Sequence, residues 1–426
     1  MTIAELYESR KNESQWNTSY PLDPSDWANF RVSAPLPFDQ DRQLSFYIHI
    51  PFCRQLCSFC EYTRMLCPDE ETQKRYLLAI AHDINEFKKR YGNIVLEGFD
   101  IGGGTPTAVS ESNFSFLMEI FRKAKEGTEQ IDDFEPSIEA TFNTLSVKKL
   151  ENMAANGLYR LSLGVQSSCH SILNKHRRNS ADVSQMADWL AKAWDAGIKK
   201  INLDFMYGLE GQNNMTIDKD LETIGHLHPE QVTLYELRTN MTKSKGTFSK
   251  EDLSAQYIQY YRGLTSMGYK ARFGQNTFSM DAMDLGVSSY LRMRMLHGAS
   301  YKGFGLSAQS MNKYGVSYNK GKLSLQPKQY LNVDSYPEEY TYFLPARELA
   351  SKYLAISAYN GSFNIDRLNA FGIDMKTIKE PLDFCLSRGL LFEDDQHRMC
   401  ITPEGFVHYG AIFSLFYCQM NPTMNE

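Results

Sequence analysis

The sequence predicts an α/β protein whose main domain is a partial (β/α)6 barrel, followed by a helical C-terminal module that resembles a winged helix. Six short apolar segments alternate with amphipathic helical stretches between residues 46 and 237. Strands joined by helical crossovers form parallel sheets. Polar residues follow several of these segments, at the end where an α/β barrel carries its chemistry. The chain has 426 residues, 42% of them hydrophobic, which is enough for a large buried core.

The six predicted strands are short and lie between turn signals. They are FYIHI (46–50), GFDIG (98–102), SIEAT (137–141), YRLSLGV (159–165), KINLDFM (200–206) and QVTLYEL (231–237). Apolar residues at helical spacing predict a helix over 77–87 and another over 183–193 that stops at Gly197. Strands buried on both faces, with chemistry in the loops after them, favour a barrel or partial barrel over an open sheet.

Composition along the chain predicts four regions. Residues 1–44 are polar and interrupted by prolines, which predicts an irregular lead-in. Residues 45–270 form the barrel, and 271–345 a connecting segment on the substrate side. Residues 346–426 form the winged-helix-like module, with two short strands and a polar turn near its end. Three acidic residues in that turn (393–395) argue against DNA binding.

Charge and hydropathy exclude several classes of partner. The formal net charge is −6, so no bulk attraction to nucleic acid or to anionic membrane is expected. No apolar run approaches the roughly 20 residues needed to span a bilayer. The first residues lack the basic-then-apolar order of a secretory signal. These features predict a cytoplasmic protein with no nucleic-acid or membrane partner.

Three cysteines, Cys53, Cys57 and Cys60, lie close together after the first predicted strand. Three thiolates at this spacing suit one face of a 4Fe–4S cluster and leave one iron without a protein ligand. Zinc would require a fourth ligand, usually from a second pair, and none follows. The other cysteines are scattered and are expected to be small buried hydrophobic residues; they are Cys67, Cys169, Cys385, Cys400 and Cys418.

Polar and glycine residues follow four of the predicted strands. The sequence GGGTP (102–106) follows the second strand, and glycines let a backbone approach a ligand closely. Glu139, Gln166 and Asp204 end the third, fourth and fifth strands. Because the carboxyl ends of parallel strands meet at one rim, we expect these groups to converge beside the cysteines and form a site.

The order CxxxCxxC, GGGTP, SIEA, GVQS and LDFMYGL resembles the radical S-adenosylmethionine (SAM) superfamily. The sequences YIHIPFC (47–53) and GLEGQ (208–212) are most similar to its oxygen-independent coproporphyrinogen III oxidase branch. The similarity covers about residues 45–310 well and the C-terminal module more loosely. It implies that an electron from the cluster cleaves SAM, and that the resulting 5′-deoxyadenosyl radical abstracts a hydrogen atom from substrate.

The resemblance implies a role for each motif residue. Cys53, Cys57 and Cys60 would bind the 4Fe–4S cluster, and the amino and carboxylate groups of SAM would chelate its open iron. Tyr47, which is also the catalytic candidate, would lie near the sulfonium of SAM, and the backbone of Phe59 near its adenine. The amino group would be surrounded by Gly103, Gly104, Thr105 and Glu139. Gln166 and Asp204 would bind the ribose, and Arg178 would bind the carboxylate. Neighbouring Arg177 is the alternative to Arg178.

One position departs from the family pattern. Coproporphyrinogen III oxidases usually carry a fourth cysteine two residues after the third, where this chain has Tyr62. Relatives without that cysteine include haem chaperones, haem-opening methyltransferases and enzymes that transfer a methyl or methylene group from a second SAM molecule. No cobalamin-binding motif is found. The decarboxylase activity is therefore less favoured than the branch name suggests.

The resemblance implies radical modification of a conjugated, tetrapyrrole-like or heteroaromatic small molecule, with flavodoxin or ferredoxin as electron donor. Arg292, Arg294 and Lys302 are candidate cations for the propionates of a tetrapyrrole. Methyl or methylene transfer (methyltransferase or cyclopropanase type), with a second SAM, is the first alternative. A haem chaperone is the second, with His49 and His176 as candidate axial ligands.

Overall fold

The computed structural model describes residues 2–11, 20–21, 24–238, 247–321 and 327–417. Six strands, each followed by a long helix, form its centre. The strands are β1 Gln43–Ile50, β2 Val95–Gly103, β3 Ser137–Ala140, β4 Arg160–Gln166, β5 Lys200–Tyr207 and β6 Gln231–Glu236. The helices are α1 Glu70–Arg90, α2 Glu111–Lys125, α3 Val147–Ala155, α4 Val183–Ala196, α5 Asn214–Leu227 and α6 Lys250–Ser266. All six predicted strands and both predicted helices are confirmed.

The six strands lie side by side in chain order, and every neighbouring pair is parallel. Their carboxyl ends therefore share one rim, where the loops carrying the motif residues meet.

Local signals set the helix ends. Asp69 caps α1 by accepting a hydrogen bond from the Thr72 amide at 2.9 Å. Gly197, with φ of 105°, ends α4 in the left-handed conformation that glycine tolerates.

The sheet continues beyond the barrel on both sides. The strand Thr277–Ser279 pairs antiparallel with β6, and Tyr301–Phe304 pairs parallel with β1. Antiparallel strands then extend the second edge; they are Gln309–Asn312, Gly315–Asn319, Glu338–Phe343 and Arg31–Val32. In the described residues the two outermost strands do not pair with each other, so the barrel stays partial. The region 271–345 thus supplies much of this sheet extension.

The N-terminal region is more ordered than predicted, because a helix runs over Ile3–Arg10. Thr2 and Glu5 form a reciprocal capping box at its start. Tyr7 packs against Phe384 with ring centroids 5.5 Å apart. Arg10 Nη1 donates to the Ser414 carbonyl at 2.9 Å. The expectation of an irregular lead-in was wrong for these residues. The helix is stable because it docks on the C-terminal module, and the prolines lie further along the chain and do not interrupt it.

The C-terminal module combines five helices with a three-stranded antiparallel sheet. The helices are Ala346–Ser357, Ile365–Ala370, Met375–Ser387, Pro403–Phe406 and Tyr409–Ser414. The sheet order is Ser362–Asn364, Arg398–Ile401 and Leu391–Glu393, so the two wing strands are confirmed. In the polar turn, Asp394 pairs with Arg398 at 2.7 Å, so part of the acidic charge is neutralised.

Shorter elements complete the chain. The helices Ser289–His297 and His170–Lys175 flank the barrel, and the two-residue strands Phe52–Cys53, Met65–Leu66 and Glu129–Gln130 lie in its loops. One-turn 3₁₀ segments include Pro24–Phe30, Pro106–Ala108, Phe142–Thr144, Pro327–Tyr330 and Ala358–Asn360. Among the residues described, no helix is both long enough and apolar enough to cross a membrane.

Of the scattered cysteines, Cys169, Cys385 and Cys400 are buried, as predicted. Cys67 is only partly buried. Its thiol donates to the Ala108 carbonyl at 3.4 Å, so it already has a backbone partner next to the cysteine loop. Cys418 lies outside the described residues.

Candidate active site

The cysteine loop begins where β1 ends and is closed by its own backbone. Phe52–Cys53 pairs in parallel with Met65–Leu66, and the Cys67 amide donates to the Cys53 carbonyl at 2.9 Å. Cys53 and Cys57 are buried, and Cys60 is partly buried. The ribbon brings both ends of the loop together, so the three thiols are presented from one short turn at the rim.

Burial disfavours free thiolates in the cysteine loop. Burial raises the pKa of the Cys53 thiol to about 12 and also raises that of Cys60, so both thiols are protonated at neutral pH without a metal partner. Iron supplies the positive charge that thiolates need. No three His, Cys, Asp or Glu side chains in the described ranges are grouped as a single metal ion requires. A 4Fe–4S cluster differs from that case because each thiolate binds its own iron.

The glycine loop lies between the cysteine loop and Glu139. Gly103 N donates to Glu139 Oε2 at 3.0 Å. A Cβ on Gly102 would approach the Glu139 carboxyl to 2.7 Å, and one on Gly103, whose φ is 111°, would overlap the His49 ring. A Cβ on Gly104 would lie 2.8 Å from the backbone of the cysteine loop. All three positions therefore exclude side chains, because the loop, which we call the glycine cradle, packs directly against Glu139, His49 and the backbone that leads into the cysteine loop.

We expect Gly103→Ala to destabilise the protein by about 2 kcal/mol or more and to abolish SAM binding. A left-handed backbone alone costs an alanine roughly 1–2 kcal/mol, and the His49 overlap adds to it. Urea denaturation and SAM titration measure the two effects. Gly92→Ala is the control, because nothing lies within 4 Å of its Cβ. Equal denaturation midpoints for the two variants would contradict the cradle.

Two carboxylates face the site from neighbouring parts of the barrel. The Glu139 side chain is reached by solvent through the mouth of the barrel but is surrounded by protein on its other sides. This enclosure, together with the charges of Asp204 and Asp100, raises the pKa of Glu139 to about 7. Asp204 accepts hydrogen bonds from Ser162 Oγ at 3.1 Å and from Asn202 Nδ2 at 2.7 Å. Burial also raises the pKa of Asp204. These groups suit a ligand that brings an ammonium group and hydroxyls.

We expect the affinity for SAM to fall by up to about tenfold per pH unit as the pH drops from 7 to 5.5. The raised pKa means that Glu139 becomes protonated below about pH 7, and a neutral carboxyl attracts the cofactor's ammonium group less strongly. Equilibrium binding on the reconstituted protein measures this slope. Glu139→Gln should bind SAM more weakly with little slope in this range. A wild-type affinity independent of pH would refute the assignment.

Gln166 and Arg178 are held in unusual positions beside the cysteine loop. Gln166 has φ of 72°, and the register shifts between Gly164 and Gln166, so the end of β4 turns this side chain out of the regular strand. Arg178 Nη2 donates to the Gly164 carbonyl, and Nη1 lies 3.6 Å from Cys57 Sγ. Its Nε is buried, and no group in the described part of the chain accepts a hydrogen bond from it. An unsatisfied guanidinium donor at this point fits a carboxylate ligand.

Arg177 does not share this environment, because its side chain is exposed. Its φ of 55° turns the chain between the two arginines. The structure therefore directs Arg178, and not Arg177, toward the cysteine loop.

The remaining predicted residues surround the same opening. Thr105 Oγ1 lies 3.8 Å from Cys53 Sγ. The Tyr47 ring stacks on Tyr290 at 5.7 Å, which fixes its orientation below the rim. Phe59 packs against a small apolar cluster separate from the main core; its buried members are Cys169, Ile172, Met206, Leu209 and Leu237. This cluster supplies an apolar surface of the kind that a nucleobase needs.

The three cations proposed for propionates do not serve that role in the structure. Arg292 Nη1 pairs with Asp133 at 3.4 Å, and Lys302 Nζ pairs with Glu338 at 2.5 Å. Arg294 is enclosed between two tyrosine rings. The prediction was wrong because sequence proximity does not show which cations already have partners.

A different set of rim residues was missed. Arg238, just after β6, pairs with Glu61 at 3.0 Å and donates to Tyr359 Oη at 2.7 Å. Tyr62 is 55% exposed, and Tyr235 and Tyr359 lie with ring centroids 6.4 Å apart. The strand-end rule that found Glu139 applies equally to β6 and would have found Arg238. Tyr359 comes from the C-terminal module, and no local pattern indicated it.

Comparisons with known proteins agree with this site. Residues 47–224 match the profile of the radical SAM superfamily. The chain is 30% identical over 197 residues to the heme chaperone HemW of Bacillus subtilis, covering 45% of this chain and half of that protein. It is 28% identical over 341 residues to the oxygen-independent coproporphyrinogen III oxidase of Salmonella typhimurium, covering 74% of this chain and 72% of that protein.

The fold has a solved counterpart in coproporphyrinogen III oxidase from Escherichia coli, described as a radical SAM enzyme. The TM-score is 0.72, with 22% identity, over 88% of this chain and 90% of that one. This similarity shows that the two chains share the barrel architecture. Residues 47–224 therefore form a radical SAM domain, and the chain is similar to oxygen-independent coproporphyrinogen III oxidase and to HemW.

Proposed function

We propose that this protein binds one 4Fe–4S cluster and SAM at the barrel rim and modifies a conjugated, tetrapyrrole-like substrate there by radical chemistry. The observation that carries the proposal is the convergence at one rim of the cysteine loop, the glycine cradle and the Arg178 guanidinium, whose Nε has no hydrogen-bond partner among the described residues. Relatives named for coproporphyrinogen III oxidation and for haem handling support the tetrapyrrole class.

Each residue of the site has a task in this proposal. Cys53, Cys57 and Cys60 hold the cluster, which with SAM supplies one-electron cleavage to a 5′-deoxyadenosyl radical when both are bound. The Arg178 guanidinium pairs with the cofactor carboxylate. Glu139, held by the Gly103 amide, receives the ammonium group.

Four further residues complete cofactor binding. The Asp204 carboxylate accepts hydrogen bonds from the ribose hydroxyls, and the Gln166 amide donates to them or accepts from them. Phe59 with its apolar cluster covers the adenine. The stacked Tyr47 closes the inner side next to the sulfonium and limits the access of water.

The substrate side is built from aromatic rings and one ion pair. Tyr62, Tyr235 and Tyr359 offer ring faces to a planar conjugated molecule. Arg238, bonded to Glu61 and Tyr359, fixes the Tyr359 ring at the mouth of the barrel. Since Tyr359 belongs to the C-terminal module, the module takes part in closing the mouth of the barrel.

Two reactions fit this arrangement. Oxidative decarboxylation would convert a propionate to a vinyl group. The 5′-deoxyadenosyl radical would take one hydrogen atom, and carbon dioxide would leave together with one electron, which equals the electron spent on cleaving SAM, so SAM is the net oxidant. Methyl or methylene transfer uses a second SAM molecule, and Tyr62 in place of the usual fourth cysteine favours it. We expect anaerobic turnover of coproporphyrinogen III, with SAM labelled in its methyl group and reduced flavodoxin as electron donor, to separate them. Carbon dioxide with no label in the product indicates decarboxylation, and label in the product indicates transfer.

Failure to form 5′-deoxyadenosine at all, in a preparation with full iron content, would contradict radical chemistry of either type. The haem chaperone alternative is then tested by titrating the protein with haem and following the absorbance. Both histidines suggested as axial ligands are already bonded. His49 Nε2 lies 2.9 Å from the Thr63 carbonyl, and His176 Nδ1 lies 3.1 Å from Ser58 Oγ. Stable haem binding together with no SAM cleavage would favour the chaperone.

A further inference from the structure

A cavity of about 570 Å³ lies at the end of the barrel opposite the cysteine loop. Gln43, the first residue of β1, and Glu97, near the start of β2, form one wall. Leu349, Arg367 and Phe371 of the C-terminal module form the facing wall. The volume lies within the range of pockets that hold small organic molecules, roughly 300–1,000 Å³. None of the motif residues lines this cavity.

Glu97 is placed in the cavity by an irregularity of the sheet. Leu44 pairs with Leu96 and Ser45 with Gly98, so Glu97 is the extra residue of a β-bulge. Bulges re-aim a side chain and are frequent beside functional sites. Glu97 is only 7% exposed, and within the described residues its carboxylate has no hydrogen bond or ion pair. A carboxylate this enclosed, facing a cavity and without a protein partner among the described residues, suits a ligand that carries a cationic group.

Arg367 supplies the opposite charge from the helix Ile365–Ala370. Its guanidinium lies over the Phe371 ring at 5.4 Å, and its buried Nε has no hydrogen-bond partner among the residues that the structure describes. Burial raises the pKa of Glu97, and the charge of Arg367 opposes that rise. In the part of the chain that the structure describes, the two groups nevertheless form no ion pair. The cavity therefore holds one unpaired anion and one unpaired cation in separate positions.

Apart from Gln43 and His297, the rest of the lining is apolar or already has hydrogen-bond partners. Met293, Met311, Leu349 and Phe371 provide the apolar surface. The polar neighbours have partners of their own: Ser300 Oγ donates to Asp41 at 2.6 Å, Asn312 Nδ2 donates to Asp41 at 3.1 Å, and Lys313 Nζ donates to Gln40. Burial lowers the pKa of His297, which favours the uncharged imidazole. The unsatisfied charges are thus confined to Glu97 and Arg367 among these groups.

We propose that this cavity binds an α-amino acid with a large apolar side chain. The ammonium group of the ligand pairs with Glu97, and its carboxylate takes the free donor of Arg367 in charge-assisted hydrogen bonds. Its side chain packs on Phe371 and the two methionines. A bound ligand joins the floor of the barrel to the C-terminal module. This site is independent of the chemistry proposed at the rim.

Isothermal titration of the reconstituted holoprotein with L-tryptophan tests the proposal, with tryptamine and indole-3-propionate as probes that lack one charge each. One tryptophan per chain is expected, and both analogues should bind at least tenfold more weakly. Glu97→Gln and Arg367→Met should each weaken tryptophan binding at least tenfold. Lys313→Ala is the matched control at the cavity edge and should bind like the wild type.

Two outcomes overturn the site: no saturable binding of tryptophan by the wild type, or wild-type affinity in both variants. Glu97→Gln keeps the side-chain volume and removes the unpaired charge, so it is expected to fold. Arg367→Lys keeps the charge and should restore part of the affinity lost in Arg367→Met. The discrimination between tryptophan and its two analogues is measured on the wild type alone. It stays decisive if a variant is unstable.

Discussion

Cys57→Ala is expected to abolish the 4Fe–4S cluster and with it all cleavage of SAM. Cys57 is buried at the centre of the cysteine loop, next to the Arg178 guanidinium, and no other thiol is expected to replace it. With only two thiolates, a cluster has two irons without protein ligands and is lost on purification. Iron content per chain should fall from about four to near zero, and the thiolate-to-iron absorbance that bleaches on reduction should disappear.

Cys67→Ala is the matched control, because Cys67 lies on the same loop and its thiol bonds to the Ala108 carbonyl. That variant should keep its iron and its absorbance. Equal loss of iron in the two variants would mean that the ligand set includes Cys67. Retention of iron in both would mean that the cluster has other ligands.

Arg178→Ala is expected to weaken SAM binding by about 10- to 100-fold while iron content stays close to that of the wild type. Charge-assisted hydrogen bonds to a carboxylate contribute roughly 1.5–3 kcal/mol, and this guanidinium has a buried donor, Nε, that no group within the described ranges satisfies. Equilibrium binding of SAM to the reconstituted protein measures the loss. The rate of 5′-deoxyadenosine formation at saturating SAM reports separately on catalysis.

Arg177→Ala provides the comparison, since the adjacent arginine has the same charge but an exposed side chain. Its affinity for SAM should remain within about twofold of the wild type, because an exposed cation contributes little. If the two substitutions have equal effects, the carboxylate is attracted by general positive charge, and the specific role of Arg178 is wrong.

Periodicity and turn residues alone predicted the barrel and most of its rim. The strand segments and the stop at Gly197 depend on local patterns of apolar residues and glycine, which act over a few residues. Since parallel strands end at one rim, Glu139, Gln166 and Asp204 could be placed together before any contact was known. The close spacing of Cys53, Cys57 and Cys60 is a local signal too. Their assignment as cluster and cofactor ligands stays a prediction.

Packing between distant segments decided the rest. The choice between Arg177 and Arg178 depends on a left-handed turn, and the position of Gln166 depends on a shift of register. The contact of Arg238 with Tyr359 joins residues 121 positions apart. No local pattern encodes such a pairing, because it arises only when the C-terminal module docks on the barrel.

The same reason explains the expectations that failed and the site that was not foreseen. Lys302 looked available in the sequence, yet the extended sheet brings Glu338 within 2.5 Å of it. The helix Ile3–Arg10 is stable because a module some 400 residues away covers it. Glu97 and Arg367 share a cavity only through a bulge in β2 and the docked module. Residue type and spacing state which chemistry a side chain offers, whereas tertiary packing determines whether that side chain is already satisfied or still free to bind.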